Sequence, residues 1–280
     1  MSVPTGSLEA ALDGMVELRP FPAAASQLMT ACNDANTTVR EVTEIIKSDP
    51  GLSTRLLQLA NSPMYGFSGE IRSIDHATVV LGMRALRDLA VSTAVGDVFD
   101  AGDAATTKIR QDLWQHSLAV GCVARLLAAD VEDVVPDEAF LGGVIHDVGK
   151  LFMLDHDSVG YIQLLSGHDL TGLPAAEIET YGLAHTEVGQ RCAQSWGLPD
   201  EIIDVIHFHH NPEEADFGGA LVDVVFAANY LAAVWFADAE PAISLEDVIE
   251  RARLETTPDK LESVRQTAEE TIETMSAVCS

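Results

Sequence analysis

Five histidines and one aspartate in the second half of the chain carry most of its chemical promise. His116 lies in Leu113-Trp114-Gln115-His116-Ser117, and His146 and Asp147 are adjacent in Val144-Ile145-His146-Asp147-Val148-Gly149-Lys150. His185 opens His185-Thr186-Glu187-Val188-Gly189, and His209 and His210 follow one another before Asn211-Pro212. Each lies in or beside an otherwise apolar stretch. Imidazole and carboxylate in such surroundings need partners, because an unpaired buried polar group costs roughly 1–3 kcal/mol. A shared metal ion would satisfy several of them together. Nitrogen and oxygen donors without thiolate favour zinc, iron or manganese. Two histidines and a carboxylate leave coordination positions open for a metal-activated water, the usual route to phosphoester hydrolysis. The same residues also suit a metal-free hydrogen-bonded cluster that fixes helix register. Lys150 follows His146 by four residues and Asp147 by three, one helical turn on. It fits an ion pair with Asp147, or a contact to a bound phosphate.

Helices must position these groups, since helix signals recur along the chain and strand signals are nearly absent. Thr38 with Glu41 forms a capping-box pattern ahead of Val42, Ile45 and Ile46. Asp49 before Pro50 sets an N-cap against a proline at the first helical position. Ser73 is a cap candidate for a further helix, which Gly82 interrupts and which resumes from Met83 to Val98. The small, acidic stretch from Phe99 to Thr107 reads as a linker. It divides the chain into an N-terminal helical part, residues 1–100, and a second helical part, residues 101–280. In the second part the pattern predicts helices from about Ile109 to Ala129, from Pro136 through His146 to Asp155, over Ser158–Ser166, and over Pro174–Trp196. Further helices follow from Pro199 to His210, from Val222 to Ala237, and along the stripe Leu261, Val264, Ala268, Ile272 and Met275. Trp114, Trp196 and Trp235 read as core anchors. Arg84 and Arg87 beside Asp88 read as a charged helix face. His76, His156, His168 and His207 read as exposed or structural.

The ordered series His116, His146-Asp147, His185, His209-His210 resembles the ligand set of the HD phosphohydrolase superfamily. The first half narrows the likeness. Asp49-Pro50-Gly51-Leu52-Ser53-Thr54-Arg55-Leu56-Leu57-Gln58-Leu59-Ala60-Asn61-Ser62, then Ile74-Asp75-His76-Ala77 and Leu81-Gly82, are similar to stretches of HDOD domains. The resemblance covers about residues 15 to 240. It implies an all-α fold with an N-terminal helical bundle packed on an HD-type bundle. It also implies a bacterial signalling role, often without demonstrated catalysis. The metal ligands it implies are His116, His146, Asp147, His185, His209 and His210, with Asp147 and Lys150 as catalytic groups in an enzyme. Two departures weigh against catalysis. Hydrolytic HD proteins supply a late aspartate where this chain has Asn229, and the Gly-Tyr-Pro signature of HD-GYP phosphodiesterases does not follow His210. Asp223, six residues before Asn229, faces away from that position on a helix.

Composition narrows the partners. The net charge is −28, from 44 acidic and 16 basic residues, so the surface repels phosphate backbones. DNA, RNA and anionic membranes are therefore not expected partners. Cys32, Cys122, Cys192 and Cys279 are far apart and predict reduced thiols rather than a disulfide framework. The opening residues show no secretory pattern, and the most apolar stretch, Val224 to Ala237, falls short of the ~20 residues of a spanning helix. A cytoplasmic protein is the expectation. Two functions follow. One is a non-catalytic signalling module that binds a protein partner or a nucleotide-type ligand. The other is a metal-dependent phosphohydrolase acting on a nucleotide or cyclic dinucleotide.

Overall fold

The computed structural model describes residues 8–10, 12, 14, 21–33, 37–67, 69–100, 105–215, 219–237 and 243–276. Every regular element among them is helical. In the first half, α1 (Ala23–Asn33), α2 (Val39–Lys47) and α3 (Pro50–Ala60) lie against the long α4 (Ile74–Asp100). The cap signals are realised as the sequence predicts. Thr38 and Glu41 close a reciprocal capping box, and the Asp49 side chain accepts from the Leu52 amide at 2.9 Å. Ser73 Oγ accepts from the His76 amide, and Gly82 breaks the helical path of α4 with a φ of 81°. Residues 101–104, the middle of the predicted linker, lie outside the described residues, as do the side chains of Arg84 and Arg87.

The second half comprises α5 (Thr107–Ala128), α6 (Pro136–Ile145), α7 (Val148–His156), α8 (Ser158–Gly167), α9 (Leu173–Tyr181), α10 (His185–Ser195), α11 (Asp200–Phe208), α12 (Gly219–Phe236), α13 (Leu245–Arg251) and α14 (Pro258–Ser276). Helices α5, α6 and α12 pack on one another, α6 also meets α4, and α10 bridges α7 and α11. Leucine, isoleucine, valine and alanine from both halves join one continuous core, to which Val224, Val225, Ala227, Ala228 and Leu231 of α12 contribute.

Three sequence expectations are corrected. The helix predicted from Pro136 to Asp155 is two helices, α6 and α7, parted at His146-Asp147. The helix predicted over Pro174–Trp196 is also two, because Gly182 ends α9 in the left-handed region at a φ of 83°. The apolar stretch before Ala237 begins earlier than read. At 18 residues α12 is long and apolar enough to cross a membrane, yet 67% of it is buried within the fold. Helix α13 was not anticipated; Ser244 and Asp247 cap it reciprocally.

Candidate metal centre

The break between α6 and α7 puts His146 and Asp147 on a corner rather than along a helix. The corner is held against the start of α10 by an unusually close backbone contact. A Cβ on Gly149 would lie 1.9 Å from the carbonyl oxygen of His185 and 2.7 Å from the amide nitrogen of Gly189, so only glycine permits this approach. That contact delivers His185, the first residue of α10, next to Asp147. The end of α11 supplies His209 and His210, α5 supplies His116, and α12 supplies Asn229.

The side chains converge around the Asp147 carboxylate. His185 Nε2 lies 3.3 Å and His209 Nε2 3.6 Å from Oδ1. His146 Nε2 lies 3.3 Å and His116 Nε2 3.9 Å from Oδ2, which also accepts from Lys150 Nζ at 2.6 Å. His210 Nε2 is 3.2 Å from His185 Nε2, which in turn is 3.4 Å from His209 Nε2. His146, Asp147, Lys150, His185 and His209 are buried; the His116 side chain retains 15% exposure. The structure therefore brings together every candidate ligand named from the sequence, with Lys150 among them.

The outer ring nitrogens fix how the inner ones point. His146 Nδ1 faces the Gly143 carbonyl at 2.7 Å, and His209 Nδ1 faces the Ile206 carbonyl at 3.0 Å. His185 Nδ1 faces Glu177 Oε2 at 2.6 Å, and the same oxygen accepts the His185 amide at 2.8 Å. A carbonyl or carboxylate at Nδ1 calls for a proton there, which leaves the Nε2 lone pairs of all three rings turned toward the centre. Glu177 is itself anchored by the Tyr161 hydroxyl, which donates to Oε1 at 2.6 Å.

These donors fit a metal ion. Asp147 Oδ1 and His146 Nε2 are buried without a hydrogen-bond partner. Ligands about 2.1 Å from a tetrahedral ion stand roughly 3.4 Å from one another. His185 and His209 lie 3.3 and 3.6 Å from Asp147 Oδ1 and 3.4 Å from each other, and His210 lies 3.2 Å from His185, separations that match that spacing. Electrostatics point the same way. Burial lowers the His209 pKa to about 3, and burial reinforced by His146 lowers that of His116 to about 4. Burial, with His209 and His185 beside it, also depresses His210. These rings are neutral, the form that ligates. Burial opposes ionisation of Asp147, but His146 and the Lys150 ammonium outweigh it and hold the carboxyl well below its ordinary range. At His185 burial likewise favours the neutral ring, yet the Glu177 carboxylate outweighs it and raises the pKa. Positive charge is thus favoured between His185 and Asp147, whether a proton or a metal cation supplies it.

Glu177 and Tyr161 were not singled out from the sequence. Glu177 is fully buried while its neighbour Ile178 is 51% exposed, an inversion of the expected pattern. Asn229 Oδ1 lies 2.9 Å from His116 Nε2. Asp223 faces elsewhere and pairs with Arg253 at 2.7 Å. Of the remaining imidazoles, His76 meets Phe67, His168 Nδ1 meets the Leu164 carbonyl, His156 lies against Tyr181, and His207 packs on Phe208.

A helical bundle gathering these residues at a His-Asp corner defines an HD-type protein. More narrowly, residues 18–212 match the HDOD domain, and the chain belongs to the HDOD family. A solved HDOD domain protein of unknown function from Geobacter sulfurreducens is 27% identical, with a TM-score of 0.73 and coverage of 97% of this chain and 98% of that one. A protein from Shewanella amazonensis, provisionally assigned as a phosphohydrolase, has the same identity and TM-score over 95% of this chain and 98% of its own. An uncharacterised Treponema pallidum protein is 26% identical over 221 residues, which is 78% of this chain and 42% of that protein. The chain spans less than half the length of the curated relatives it matches.

Proposed function

We propose that this chain is a bacterial-type signalling module that holds a divalent metal in its His-Asp pocket. It acts by binding a protein partner or a nucleotide-type ligand rather than by turnover. The observation that carries this reading is Asn229. Where the resemblance to hydrolytic HD proteins calls for a carboxylate, a neutral amide engages His116 at 2.9 Å. The pocket so loses a negative donor suited to a hard cation.

Asp147, His185, His209 and His210 would hold the metal, which when bound supplies a Lewis-acidic anchor for an anionic oxygen. The chain's own groups do the rest. Glu177 keeps the proton on His185 Nδ1 and fixes the ring. Lys150 neutralises one oxygen of Asp147. A ligand enters beside His116 and His210, the imidazoles of the cluster that are not fully buried. The net charge of −28 supports a module without nucleic-acid or anionic-membrane partners.

Elemental analysis of protein purified without chelator, paired with a panel of nucleotides and cyclic dinucleotides, tests the proposal. Bound iron, manganese or zinc with no turnover is the expected outcome. Robust metal-dependent hydrolysis that Asp147→Ala abolishes would replace it with the phosphohydrolase reading. The convergence of four imidazoles on Asp147, with His210 beside His185, is what favours that alternative.

A further inference from the structure

Asp147 divides the pocket into two unequal sides. On the Oδ1 side stand His185, His209 and His210, whose inner nitrogens lie within 4.8 Å of one another. Oδ1 has no hydrogen-bond partner, and the Nδ1 atoms of His185 and His209 are committed outward. His185 and His209 make their closest approach to Asp147 at Oδ1, whereas Lys150 makes its own at Oδ2.

The Oδ2 side also offers three donors, His116, His146 and Asp147, in the same compact grouping. Here, however, the Lys150 ammonium already sits 2.6 Å from Oδ2, with a side chain only 4% exposed. Its position is fixed from the backbone. The Lys150 amide donates to the Asp147 carbonyl at 3.0 Å in the first turn of α7, which keeps the side chain on the face of Asp147. His116 is engaged as well, since its Nε2 meets Asn229 Oδ1 at 2.9 Å and donates its proton there in the tautomer that bond requires. His146 Nε2 is buried there without a hydrogen-bond partner. A divalent ion on this side would have to displace a buried ammonium or share one carboxylate oxygen with it, and like charges so close in a poorly solvated site repel strongly.

Resting on the metal-holding reading above, we infer that the pocket takes a single divalent cation, on the Oδ1 side between Asp147, His185, His209 and His210. The Lys150 ammonium is the resident cation of the other side, standing where His116, His146 and Asp147 Oδ2 would otherwise take a second ion. The lysine in this role is a positioning and charge-balancing group rather than a catalytic one.

The test is metal stoichiometry of the full chain, stripped of metal, dialysed against Mn²⁺ and counted by mass spectrometry and by the electron-spin resonance of the bound ion. Wild type binds one ion, and the spectrum shows no coupling between paired ions. Lys150→Met binds two, and adding Asn229→Asp to it tightens the second by roughly tenfold. Asn229→Asp alone, with Lys150 kept, stays at one, and this variant carries the test if Lys150→Met fails to fold. His185→Ala loses the wild-type ion, whereas His116→Ala retains it. Two coupled ions in wild type, one ion in a folded Lys150→Met, or two in Asn229→Asp would each overturn the inference. So would loss of the ion in His116→Ala but not in His185→Ala. A wild type that binds none rejects the metal-holding reading itself, a result distinct from every one of these.

Discussion

Where the short helical turn Pro63–Tyr65 meets α5 and α6, a second, half-buried polar cluster invites comparison with the His-Asp pocket. Tyr65 donates to Asp137 Oδ1 at 3.1 Å, Arg125 Nε donates to the same oxygen at 3.2 Å, and Arg125 Nη1 donates to the Met64 carbonyl at 3.1 Å. The guanidinium also lies 4.1 Å over the Tyr65 ring. Burial, with Asp137 adding to it, pushes the Tyr65 phenol above its ordinary range, so it stays a donor. None of these three side chains leaves a buried polar atom without a partner, whereas the pocket leaves Asp147 Oδ1 and His146 Nε2 without one. Both clusters join distant segments through charge and aromatic rings. The first closes on itself and has the character of a clamp between the halves of the chain. The second leaves two buried polar atoms open among imidazoles grouped closely enough to hold a metal ion.

Breaking the pocket should have the largest effect. Asp147→Ala leaves the Lys150 ammonium buried and unpaired, so metal-free protein should lose about 3–5 kcal/mol in urea denaturation. It should also lose its metal. A loss within experimental error of zero would mean that the lysine finds water, and the contrast with the clamp would weaken. Glu177→Gln keeps the shape of its side chain but removes the charge that orients His185. Competition against a chelator should show metal affinity about 10–100-fold lower. Arg125→Ala opens the clamp and should cost about 1–3 kcal/mol in the same denaturation assay. Metal affinity should not change; if it falls, the two clusters are coupled and the comparison fails. The smallest effect concerns the surface. Raising ionic strength from about 0.1 to about 1 M shortens the screening length from about 10 to about 3 Å. With a net charge of −28, the melting temperature should rise, on the order of 2–4 °C for each kcal/mol gained. The rise should be equal in wild type and Arg125→Ala, because the clamp does not depend on the screened surface.

What could be read from the sequence follows from how local each signal is. The caps at Thr38 and Asp49 depend on residues three apart, and the structure realises both. The apolar character of α12 is a property of composition alone. The His-Asp corner was visible as residue types but not as a corner. The run from Phe140 to Leu154 is apolar enough to pass for one helix, and the break there coincides with the packing of Gly149 on α10. Glu177 was hidden for a related reason. Glu177 and Glu179 lie on the same short helix and look alike in sequence, yet only the first is buried, because His185 and Tyr161 come to it from other elements. The clamp likewise joins Tyr65, Arg125 and Asp137 across separations that no local pattern encodes.

The meeting of Gly149 with the start of α10 has one more consequence. With main chain resting on main chain, no rotamer can yield there, and the two helices cannot be pressed any nearer. The gap between Asp147 and His185 therefore has a hard lower stop. An ion held there would, on leaving, find the main chain around the pocket at the same spacing, braced against closing on its own charges.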